Sequence, residues 1–95
     1  MTACLLVDLD IFDAPGFAAY RAAVMPLIEK HRGQLTHRLS QFEAIEGNWS
    51  PSRMVIIEFP SKELARHFLD DPDYVPVKDM RVHSANSLIA MAEVE

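Results

Sequence analysis

The run Met54-Val55-Ile56-Ile57-Glu58-Phe59, closed by Pro60 and Ser61, is the most β-prone stretch of the chain. The segment Glu46-Gly47-Asn48-Trp49-Ser50-Pro51-Ser52-Arg53 leads into it and separates it from an earlier extended stretch. Gly, Asn, Ser and Pro favour turns, so the pair reads as an antiparallel hairpin whose loop carries Trp49. The remaining elements can be placed around that hairpin.

Before it, Cys4 to Ile11 alternates, with Leu5, Val7, Leu9 and Ile11 on one side and Cys4, Leu6, Asp8 and Asp10 on the other, which predicts a first strand. Asp13 is suited to cap a helix whose first turn admits Pro15, and Phe17, Tyr20, Val24, Leu27 and Ile28 fall on one stripe of it. Pro26 removes a backbone hydrogen bond inside that helix, which predicts a kink or an early loosened turn, and Gly33 is expected to stop it. Gln34 to Ile45 reads as extended, with Leu35, His37 and Leu39 alternating against Thr36, Arg38 and Ser40. After the hairpin, Ser61 can cap a short helix with Leu64, Ala65, Phe68 and Leu69 on its apolar side. Asp71-Pro72 interrupts it, and a further short helix is expected to carry Tyr74, Lys78 and Arg81 about one turn apart. Leu88 to Val94 alternates as a last strand.

Two split strand-helix-strand units in this order predict a single α+β domain over residues 1–95, a ferredoxin-like four-stranded antiparallel sheet with its helices on one face. Cys4, Leu6, Met54, Ile56, Leu88 and Ala90 then form an apolar patch on the other face, which a second copy of the chain would cover. A homodimer also suits so short a chain, whose one cysteine, Cys4, allows no internal disulfide. Cysteine usage and the lack of a membrane-length apolar run point to a soluble cytoplasmic protein with no membrane partner. A net charge of −5, with nine Lys and Arg spread along the chain, argues against nucleic acid, as does the lack of exposed aromatics on the strands.

Phe17 and Tyr20, Gly33 followed by a strand with Arg38, Glu46-Gly47-Asn48-Trp49, Val55 to Ser61, Asp71-Pro72-Asp73-Tyr74 and Arg81 together resemble the family DUF1330 over nearly the whole chain. The resemblance implies the dimeric α+β barrel form of the ferredoxin-like fold, and carries no established reaction. In place of the family's usual Gly-Gly opening and Arg-Gly-Gly continuation in the strand after the helix, this chain has Arg32-Gly33 and Arg38-Leu39-Ser40. The wider barrel group includes cofactor-free oxygenases, haem-binding enzymes and small isomerases, so fold alone does not choose a chemistry.

Among individual residues, Arg38 projects from a strand and is suited to clamp a carboxylate or enolate oxygen; the competing reading is an ion pair with Glu58, Asp8 or Asp10. Glu46 can anchor its loop or act as a general base if desolvated, and His83 is a second candidate base. Trp49 suits either a pocket mouth or a dimer seam. Tyr74 and Arg81 can close over an anion as a lid, or serve only as a cap and a salt bridge.

His31, His37, His67 and His83 show no metal-ligand spacing, so no metal is expected. No cofactor is expected either, although haem would need only one axial histidine and an apolar cavity. Cys4 reads as an inert thiol, and no nucleophile elbow, phosphate loop or paired-carboxylate motif is present. The leading expectation is a homodimer binding a small anionic organic molecule through Arg38, Tyr74 and Arg81, walled by Trp49 and Phe17, or acting on it without a cofactor. The alternative is a non-catalytic dimerisation or interaction module.

Overall fold

The computed structural model describes all residues 1–95. Seven elements follow one another: β1 (Ala3–Ile11), α1 (Ala14–Lys30), β2 (Gln34–Ser40), β3 (Arg53–Phe59), α2 (Lys62–Asp70), α3 (Tyr74–Val82) and β4 (Ala85–Glu93). The strands form one sheet in the order β2-β3-β1-β4, with every neighbouring pair antiparallel. The fold is α+β and ferredoxin-like, with three helices in place of the two of the minimal pattern.

Alternation along β1 divides the sheet into two chemically different faces. Leu5, Val7 and Leu9 are buried in the core with Phe17, Val24 and Ile28 of α1, Ile57 and Phe59 of β3, and Ala65, Phe68 and Tyr74 of the C-terminal helices. Phe68 sits between the rings of Phe59 and Tyr74, with centroids 5.6 and 4.7 Å away, so one aromatic column joins sheet, α2 and α3. On the opposite face, Leu6 pairs with Ile56 and Ala90 in an apolar row, while Met54 and Leu88 stand on either side of Asp8. No helix covers them, and Leu88 is 74% exposed.

The helix boundaries follow from capping chemistry. The Asp13 carboxylate accepts from the Gly16 N–H at 3.2 Å and Ser61 Oγ from the Leu64 N–H at 3.2 Å. α1 runs from Ala14 to Lys30 with Pro26 inside it, on the solvent side. Its C-terminus differs from expectation in a specific way: Arg32, not Gly33, takes the left-handed conformation, at φ 64°. The Arg32 N–H bonds Glu29 O at 2.9 Å and the Gly33 N–H bonds Ile28 O at 2.8 Å, which is a Schellman closure. Gly33 is needed for space instead, since a Cβ there would stand 2.6 Å from the Phe59 ring.

Two further differences bear on the site. β2 ends at Ser40, and residues 41–52 form an irregular loop in place of the extended stretch expected to Ile45. β2 also contains a bulge: Leu35 pairs with Ile57 and His37 with Ile56, leaving Thr36 as the extra residue, its hydroxyl donating to Ile56 O at 3.3 Å. Because side chains alternate with a period of two, one extra residue inverts everything after it. Arg38 and Ser40 therefore pair with Val55 and Arg53, on the same side as Leu35, while His37 and Leu39 join the open face. β4 starts three residues earlier than expected, at Ala85.

Candidate functional site

Between α1 and the β2 side of the sheet lies a cavity of about 110 Å³. Val7, Leu9, Ile11, Phe17, Val24, Ile28, Val55 and Ile57 give it apolar walls, and the polar groups around it are Tyr20, Arg21, Arg38, Ser40 and Arg53. On the edge strand β2, Leu35, Arg38 and Ser40 border it from that side of the sheet. The bulge at Thr36 is what gives Arg38 this orientation.

None of the three arginines forms an ion pair within the chain. Arg21 lies over the Phe17 ring, 5.3 Å from its centroid, and Arg38 and Arg53 are exposed on adjacent strands. Glu58, Asp8 and Asp10, the acids considered as partners for Arg38, occupy β3 and β1 positions of the opposite parity to the core residues, and none is ion-paired with it. Arg38 is thus free of internal carboxylates and adjoins the cavity.

On the α3 side, Tyr20 lines the cavity and its hydroxyl neighbours Tyr74 and Arg81. Burial pushes the Tyr20 phenol well above the ordinary range; the neighbouring Tyr74 adds to this and the Arg81 charge partly opposes it. Tyr74 and Arg81 do not form an exposed lid. Both are buried, Arg81 with only 5% of its surface accessible, and the Arg81 guanidinium donates through Nη1 to Ser87 Oγ while Nε has no partner.

The other sequence candidates lie apart from the cavity. Trp49 is 65% exposed in the loop and packs near Phe42, with centroids 6.4 Å apart. Glu46 is exposed in the same loop. His83 is exposed after α3, its Nδ1 2.7 Å from Asp79 O. Of the residues singled out, the structure brings Phe17 and Arg38 together at the cavity, and Tyr74 and Arg81 behind Tyr20. No three His, Cys, Asp or Glu side chains gather as a metal-binding group.

Arg21, Arg53 and Tyr20 were not legible as site residues. Tyr20 reads as one more residue of the helical core stripe, and Arg21 beside it as an ordinary flanking charge. The one available signal was that Arg53 opens the strand next to that of Arg38, so a hairpin can set the two cations side by side.

A second polar cluster, not anticipated, ties α1 to the α2–α3 junction. Lys30 Nζ lies 2.8 Å and His31 Nε2 2.7 Å from the same oxygen of Asp71, whose other oxygen accepts from the Asp73 N–H at 2.9 Å. Hydrogen bonds from Lys30, then His31, then the Asp73 backbone hold the Asp71 carboxyl far below the usual carboxylate range. The bond to Asp71 raises Lys30 in turn.

Comparison with solved structures gives full-length matches. The chain superposes on the RPA0582 protein of Rhodopseudomonas palustris, a protein of unknown function, with a TM-score of 0.84 at 17% identity, covering 99% of this chain and 82% of that one. SnoaB, a cofactor-independent oxygenase from Streptomyces nogalater, matches with a TM-score of 0.73 at 14% identity, covering 99% and 93%. A dimeric ferredoxin-like protein from Jannaschia sp. CCS1 matches with a TM-score of 0.72 at 16% identity, covering 99% and 100%. Identities this low establish the fold alone. No curated protein matches the chain. The model of the domain of unknown function DUF1330, however, matches residues 2–94, and the chain belongs to that family.

Proposed function

We propose that the protein is a cytoplasmic homodimer that binds a small, largely apolar organic anion between α1 and the β2 side of the sheet. The observation that carries this reading is the set of three guanidinium groups, Arg21, Arg38 and Arg53, around an apolar cavity with no carboxylate supplied to any of them. With 14 Asp and Glu against nine Lys and Arg, the chain has acids to spare. An anionic ligand would receive charge-assisted hydrogen bonds at the rim and bury its hydrocarbon among Phe17, Val24 and Ile57. Binding is favoured over proton abstraction because no Asp, Glu or His lines the cavity, so the chain offers no general base there.

Mass spectrometry of small molecules released from the purified protein, with calorimetric titration of benzoate, tests the reading. Binding that is lost in Arg38→Gln supports it. If benzoate and related carboxylates leave the protein unchanged and nothing copurifies, the reading falls and the chain is an association module only.

The dimer rests on the bare sheet face. Ile56, Leu6 and Ala90 form an apolar row across that face, with Met54 and Leu88 flanking Asp8 beside it, and proteins of similar fold are described as dimeric. Burying Leu88 is worth about 1.5–3 kcal/mol and a two-fold interface counts it twice, so Leu88→Asp is expected to weaken association by about 100-fold or more. Light scattering across a dilution series reads this directly. A wild-type chain that stays monomeric throughout would overturn the dimer.

A further inference from the structure

We infer that the anion taken by the cavity is a dianion that carries both charges on one compact head attached to an apolar body, either a phosphate monoester or an aromatic compound with two adjacent carboxylates. This rests on the reading of the cavity as an anion site and names the charge of the molecule that fits it.

The starting observation is where the chain places its arginines. Three of its six, Arg21, Arg38 and Arg53, line one cavity, and none of the 14 Asp and Glu does. The ion pairs of the chain go to Lys30, His31 and Lys62 instead. None of the three arginine side chains donates a hydrogen bond within the chain either.

Sheet register sets two of them together. Arg38 pairs with Val55 and Ser40 with Arg53, so the two arginines are diagonal neighbours on one face, with Ser40 directly across from Arg53. Diagonal positions stand about 7–8 Å apart, within reach of long side chains, and like charges held so close repel one another unless an anion lies between them. Arg21 approaches from α1, its guanidinium 5.3 Å from the centroid of the Phe17 ring, which also lines the cavity. Stacking uses the face of a guanidinium and leaves the N–H donors, which lie in its plane, free to bind.

The number of cations decides the charge class. One carboxylate brings two oxygens and a single charge, enough for one guanidinium fork, and leaves the other two arginines unanswered. A phosphoryl head brings three acceptor oxygens and nearly two charges near neutral pH. Two adjacent carboxylates likewise bring two charges. Either head has an oxygen for each guanidinium, while its hydrocarbon meets the apolar walls.

The test titrates the full chain by calorimetry with phenyl phosphate and phenyl sulfate, which share a shape and differ in charge, and with phthalate and benzoate, which differ by one carboxylate. At about pH 8, where the phosphate carries nearly two charges, at least one dianion is expected to bind about tenfold more tightly than its monoanionic counterpart. A lead for phenyl phosphate identifies a phosphoryl head, and a lead for phthalate identifies paired carboxylates. Arg21→Gln is expected to erase the preference, and Arg21→Lys, which keeps the charge, to retain part of it; if Arg21→Gln fails to fold, the same comparison in Arg53→Gln decides. If both monoanions bind as tightly as their dianions, or the preference survives Arg21→Gln undiminished, the inference is wrong and the anion site stands. If none of the four compounds binds to wild-type protein, both are wrong.

Discussion

The Asp71 cluster and the cavity present the same ingredients, cations beside partly buried surface, and resolve them in opposite ways. At Asp71 one carboxylate with a side chain only 6% accessible receives Lys30, His31 and a backbone N–H, so every charge is answered within the chain. Around the cavity, three arginines are answered by an aromatic ring, by solvent or by nothing. An acidic protein that completes one cluster and leaves the other open has a chemical reason to accept an anion at the second. The Asp71 cluster closes two helical segments onto each other, and a saturated carboxylate is what a structural clasp requires. The open cluster lies towards the β2 edge of the sheet, with Arg38 on β2, Arg53 on β3 and Arg21 on α1.

The contrast is broken or sharpened most strongly by removing the open cations. Arg38→Gln combined with Arg53→Gln is expected to weaken benzoate binding by about 100-fold, about tenfold for each charge-assisted contact. The melting behaviour of that variant should stay within about 0.5 kcal/mol of wild type, since neither side chain has a partner in the chain to lose. A large loss of stability would mean that these arginines are structural after all.

Asp71→Asn should do the reverse, lowering stability more than the double arginine variant while leaving benzoate affinity unchanged. Its pH dependence identifies the cause. A carboxyl whose folded value is depressed stabilises the fold above its ordinary range near pH 4, and that contribution is lost as pH falls below it. Thermal melts should therefore show the deficit of Asp71→Asn at pH 7 shrinking towards pH 3. A deficit independent of pH would assign it to packing.

The smallest effect is expected at the alkaline end. Tyr20 has a raised folded value, so its contribution is complete below the ordinary phenol value near 10 and declines as pH rises beyond it. Tyr20→Phe, which has no proton to lose, should flatten the fall in stability above about pH 10 in denaturant titrations. Equal slopes in both proteins would show that the Tyr20 hydroxyl is not held in the buried, protonated state.

Much of this architecture was legible from the chain alone because it depends on short-range patterns. The alternation of Leu5, Val7 and Leu9, the caps at Asp13 and Ser61 and the break at Asp71-Pro72 each act within a few residues. The site was legible only in fragments. Phe17 and Arg38 were found, but the grouping of Arg38 with Tyr74 and Arg81 divides into a rim and a buried cluster with Tyr20 between them. Trp49 drew attention by its size, and its place is set by an irregular loop with no periodicity to read.

What the sequence by itself determined is the order of elements, the core-facing parity of β1 and the presence of an apolar second face on the sheet. These follow from local propensity and from burial of one side of each element. Only the tertiary structure decided which way Arg38 points, because one extra residue at Thr36 inverts the strand and that residue is identified by its pairing with β3. It alone also decided that Arg81 is buried without a counter-ion beside Tyr20, for that juxtaposition joins residues 61 positions apart in the chain and depends on how α1 and α3 pack.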